Sequence, residues 1–89
     1  MTREQVYEMI DRERDYQDQK WGGKKHDQNQ SIGDFILYMD VYLNKAKRSY
    51  SGPFVEGANS LDELRKVIAL GVACFEQIDD EFVPQREMK

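Results

Sequence analysis

The apolar positions fall into three helical blocks separated by polar connections. Val6, Met9 and Ile10 recur at helical spacing behind Thr2, and Thr2 followed by Gln5 has capping-box spacing. Ser31 with Asp34, and Ser60 with Glu63, repeat the device ahead of the two most apolar runs. The spacing predicts helices over about 3–20, 32–50 and 61–82, with Pro53 and Pro84 outside all three. No stretch alternates long enough to read as a strand, and no internal repeat is visible. The expected fold class is therefore all-α: one helical domain over 1–89, closing with a frayed tail at 83–89.

The three blocks differ in kind. The first keeps an apolar stripe only as far as Ile10; the same face continues as Glu13, Tyr16, Gln17 and Lys20. Either this end projects into water or its polar groups line a pocket, and projection is the simpler expectation. The second block, Phe35 to Leu43, has Asp40 as its only charge, and the third runs uncharged from Val67 to Phe75. A helix apolar nearly all round must be covered on most sides. Three helices of one short chain cannot easily do that, so a homo-oligomeric helical bundle, in the first instance a dimer, is expected. Small residues Ala69, Gly71 and Ala73 allow a neighbouring backbone close to the third helix.

Composition narrows the function classes. Thirteen basic against 17 acidic residues leave a net charge of -4, which argues against a general nucleic-acid or anionic-membrane binder. The longest apolar run is far short of a membrane span, and Met1 to Gln5 lack the apolar core of a signal peptide, so a cytoplasmic protein is expected. The single cysteine, Cys74, lies in the apolar run and reads as a core residue rather than a nucleophile. One Cys and one His cannot complete a zinc site.

Candidate chemistry gathers at the end of the first helix. Arg12, Arg14, Lys20, Lys24 and Lys25 surround Tyr16 and Trp21 there, and a long polar connection, 21–30, follows. Cationic side chains hold phosphate oxygens and aromatic faces stack bases. Gly22 and Gly23 let backbone approach a ligand, and the connection leads into the second helix at Ser31-Ile32-Gly33. The bland alternative is a solvated face laced with pairs such as Glu8–Arg12. Carboxylates that could serve Mg²⁺ (Glu13, Asp34, Asp40, Glu63, Glu76) do not form a close pair on a buried helix face. Asp40 reads as one half of a structural ion pair across an interface.

The run Glu13 to Gly22, with His26-Asp27, Ser31-Ile32-Gly33-Asp34 and the later Leu64 to Leu70 and Ala73 to Gln77, resembles small bacteriophage MazG-like proteins, akin to all-α nucleoside triphosphate pyrophosphohydrolases. The resemblance implies an oligomeric, nucleotide-handling protein, in the host cytoplasm if phage-encoded. The hydrolases' Glu-Glu-x-x-Glu and Glu-x-x-Asp metal motifs have no counterpart at Asp34 and Asp40 or in the third helix. With the motif missing, the expectation becomes a non-catalytic nucleotide binder without cofactor or metal, sequestering a cyclic nucleotide messenger of antiphage immunity. Arg14, Lys20, Lys24 and Lys25 would hold phosphate; Trp21 and Tyr16 would stack the base; Gln17, His26 and Asp27 would bond base or ribose. Two alternatives remain: a divergent Mg²⁺-dependent pyrophosphohydrolase using Glu13, Asp34 and Asp40 from different subunits, and a clamp on a host protein.

Overall fold

The computed structural model describes residues 1–52 and 59–78. These form four helices: α1 (Arg3–Trp21), α2 (Lys24–Gln28), α3 (Ile32–Ser51) and α4 (Ser60–Glu76). There is no strand among the described residues, so the all-α expectation holds. The three-helix reading needs correcting, because the 21–30 connection carries a helix of its own, α2.

The caps explain the starts. Thr2 and Ser31 each close a complete capping box, with Gln5 and Asp34 returning the bond to the cap backbone. The third expected box is displaced by one residue: Asn59 caps α4 by accepting from the N–H groups of Leu61 and Asp62. Asn is at least as good a cap as Ser, so the helix begins at Ser60 instead. The last helix is also shorter than the apolar pattern suggested. It ends at Glu76, where the Gln77 N–H turns back to Cys74 and Phe75 carbonyls; the expected continuation over 79–82 lies outside the described residues. So do the Phe54 and Val55 anchors and the tail 83–89.

α4 is the central element. It packs most extensively against α3 and then against α1. Phe35, Leu70, Ala73 and Cys74 form the core cluster, with Trp21, Met39, Tyr42 and Ile78 packed around it. Ala69 and Ala73 are completely or almost completely buried, as small residues at a close helix crossing should be.

The expectation that the polar half of α1 projects into water holds for Tyr16 and Lys20, which are exposed, and fails for the residues between them and the core. Glu13, Arg14 and Gln17 are buried. They pack against α4, where Arg65 Nε stands 3.1 Å from Glu13 Oε1 and Gln17 Nε2 donates to the Lys66 carbonyl. A face of polar groups can be buried when its charges meet partners on the facing helix, and α4 supplies Arg65, Lys66 and Glu76 for that purpose, with Glu13 Oε2 left without a hydrogen bond.

Candidate functional site

Trp21 ends α1, and the two residues after it take backbone conformations that side chains disfavour. Gly22 has φ of 95° as the α1 cap and Gly23 has φ of 68° at the start of α2. This reversal folds α2 back over the end of α1. His26 then stacks against Trp21 with ring centroids 6.4 Å apart, and Asp27 points back to Arg14.

Arg14 is the fastener of this corner. Its Nη2 lies 3.2 Å from Asp27 Oδ2 and 3.1 Å from Asp18 Oδ1, its Nε donates to Glu76 Oε1 at 3.1 Å, and its Nη1 donates to Gln17. One guanidinium thus joins α1, α2 and α4. Burial alone would lower its pKa, but the hydrogen bond and charge of Glu76, with the charges of Asp18 and Asp27, outweigh this and raise it. Arg14 and Asp27 are only 7% and 6% exposed, which makes them mutually dependent.

Beside this fastener opens a cavity of about 260 Å³. Phe35 and Leu70 of the core form its deep part, Trp21, Tyr38 and Tyr42 bring aromatic rings, and His26, Asp27 and Gln30 bring polar atoms. Gln30 is held by Tyr38, whose hydroxyl donates to its Oε1 at 3.2 Å, and His26 Nδ1 lies 3.3 Å from Asp27 Oδ1. Cations stand over two of the rings: Lys20 Nζ is 5.6 Å from the Trp21 centroid, and Lys45 and Lys66 Nζ are 4.9 and 5.6 Å from that of Tyr42.

The structure sorts the nine residues expected from the sequence. It brings Trp21, His26 and Asp27 together on the cavity wall, with Lys20 above Trp21. Arg14 and Gln17 are buried and bonded to protein partners, which leaves Arg14 holding Asp27 rather than free for phosphate. Lys24 lines a polar cleft with Arg14, Asp18 and Glu76, on another side of Asp27. Tyr16 and Lys25 are exposed.

Reasoning from the sequence missed Gln30, Tyr38, Tyr42 and Lys45. The signal for three of them was present: Phe35, Tyr38 and Tyr42 repeat at helical spacing, and Lys45 follows Tyr42 by three residues.

The carboxylates considered for Mg²⁺ each have another partner: Glu13 has Arg65, Asp34 the α3 cap, and Asp40, exposed, accepts from Asn44. Among the described residues no group of three His, Cys, Asp or Glu side chains is placed to hold a metal. No described helix is long and apolar enough to cross a membrane. Cys74 is buried, and burial raises its thiol pKa, which keeps it protonated. No protein family, curated protein or solved structure gives a significant match to this chain.

Proposed function

We propose that this protein binds a nucleotide without cleaving it, taking the base into the Trp21–Tyr42 cavity. The observation that carries the reading is the union, in one small cavity, of aromatic walls with a buried carboxylate and an amide. Its volume of about 260 Å³ lies just below the roughly 300–1,000 Å³ of ordinary small-molecule sites. That suits one flat ring and leaves sugar and phosphate outside. Lys20 and Lys45, standing over the flanking rings, are the cations that would meet such a phosphate.

The polar groups favour a kind of base. Asp27, paired with Arg14 and beside His26, presents acceptor oxygens, so an edge that donates N–H groups, as the N1–H and N2–H₂ edge of guanine does, suits it best. Sequestration of a cyclic nucleotide messenger is the finer form of the proposal, supported by the MazG-like resemblance and by the missing metal motif. The homo-oligomer expected from the sequence belongs to it too; apolar side chains open on α3 and α4, such as Ile36, Leu61 and Phe75, support that part.

The test is thermal unfolding with guanine, adenine and pyrimidine nucleotides, linear and cyclic, in Mg²⁺ and in EDTA, followed by chromatography of the recovered ligand. A ligand at 100 times its Kd adds about 2.7 kcal/mol of stability. The expected result is a shift in EDTA with intact nucleotide recovered. Products recovered only with Mg²⁺ would replace the binder by the hydrolase, and no shift with any nucleotide would remove both. Trp21→Ala is expected to weaken binding by about 10-fold or more, since one base–aromatic stack contributes roughly 1–3 kcal/mol.

A further inference from the structure

α4 is apolar on two opposite sides, and among the described residues only one of them is turned to the core. Ala69, Leu70, Ala73 and Cys74 face the core, while Leu61, Leu64, Ile68, Val72 and Phe75 are exposed, Leu61 and Phe75 by 71% and 63%. At 100° per residue the exposed five fall within an arc of about 80°. Leu61, Ile68 and Phe75 are a heptad apart, the spacing of a helix–helix seam rather than of scattered surface residues. The five positions are also symmetric about Ile68: Leu61 and Phe75 lie seven residues to either side, and Leu64 and Val72 four.

We propose that this stripe is the seam between two copies of the chain, with α4 packed antiparallel on α4 across a two-fold axis at Ile68. A two-fold interface requires that a surface complement itself, residue i meeting j while j meets i. In this register Leu61 of one copy meets Phe75 of the other, Leu64 meets Val72, and Ile68 meets its own equivalent. The structure offers a seat for the Leu64 knob: an open, almost wholly apolar hollow bounded by Ile68, Val72 and Phe75, with Gly71 adding no side chain to fill it. Gly71 also lies against Met39, and the exposed Ile36 and Leu43, three residues before and four after Met39, widen the face from α3.

The charges favour the antiparallel sense. It sets the positive N-terminal end of each helix dipole beside the negative end of the other. The occupant is accordingly a second copy, and the proposal specifies the oligomeric part of the reading above while standing apart from the ligand.

Sedimentation of the full chain with Ile68→Glu, Leu37→Glu and Ile68→Cys variants tests it. The wild type is expected as a dimer or an even multiple. Ile68→Glu, at a position already open to water in the single chain, should keep its helical circular dichroism and raise the dimer Kd at least about 100-fold, because two carboxylates would face each other in the seam. Leu37→Glu, off this face, should leave the Kd unchanged. Ile68→Cys should form an intermolecular disulfide or short bismaleimide crosslink, which the wild type, with only buried Cys74, does not. A monomeric wild type would overturn both the seam and the oligomer, leaving the stripe for a foreign protein. An oligomer that survives Ile68→Glu, or an Ile68→Cys variant that fails to crosslink, would overturn the seam alone.

Discussion

Arg14 carries more of the corner's stability than any other single side chain. Its removal leaves Asp27 buried without its cation, beside Asp18 and Glu76. Breaking a buried pair from one side costs about 3–5 kcal/mol. Arg14→Ala is accordingly expected to lose stability on that scale in urea unfolding. Adding Asp27→Ala should restore part of the loss, and a loss below about 1 kcal/mol would show that the pair is not coupled in the folded protein. Lys66 supplies a pH prediction. Burial lowers its pKa, but Glu63 and Asp62 outweigh that and hold it above the ordinary 10.5. A raised folded-state pKa stabilises fully below the unfolded value and loses that stabilisation as pH climbs through the folded one. Stability should therefore fall above pH 10.5 more steeply in the wild type than in Lys66→Met, and equal slopes would contradict it.

Among the elements, α2 decides whether a site exists. Its five residues make too short a helix to stand alone, so it depends on the Gly22–Gly23 reversal and on the Arg14–Asp27 pair. Gly22→Ala puts a Cβ at φ of 95°, with room around it but at a backbone cost of about 1–2 kcal/mol. The expected outcome is a loss of that size together with weaker ligand binding, seen by unfolding and titration; no change would show that the turn tolerates a side chain. The helix starts were legible in advance because Thr2 and Ser31 act through local chemistry. The burial of Glu13, Arg14 and Gln17 was not, because a polar face reads as solvated until its partners on another helix are known. Lys66 and Glu76 lie some fifty to sixty residues further along the chain than Gln17 and Arg14.

At the scale of the whole molecule the same limit explains what the sequence showed of the site. Trp21, His26 and Asp27 are close in the chain, stood out as a cluster and share the cavity. Tyr38, Tyr42 and Leu70 complete it from α3 and α4, where an aromatic or apolar residue looks like core. The all-round apolar character of the later helices was legible as excess, and α4 shows its form: one face turned to the core and an opposite face open. The chain's only tryptophan lies in the cavity wall, so its fluorescence reports on the proposed site. Titration of that fluorescence with guanosine nucleotides in EDTA is the most direct test of the account. Saturable quenching, lost in Arg14→Ala and weaker with adenosine nucleotides, is the predicted result. Fluorescence unchanged by every nucleotide up to millimolar concentration would contradict it.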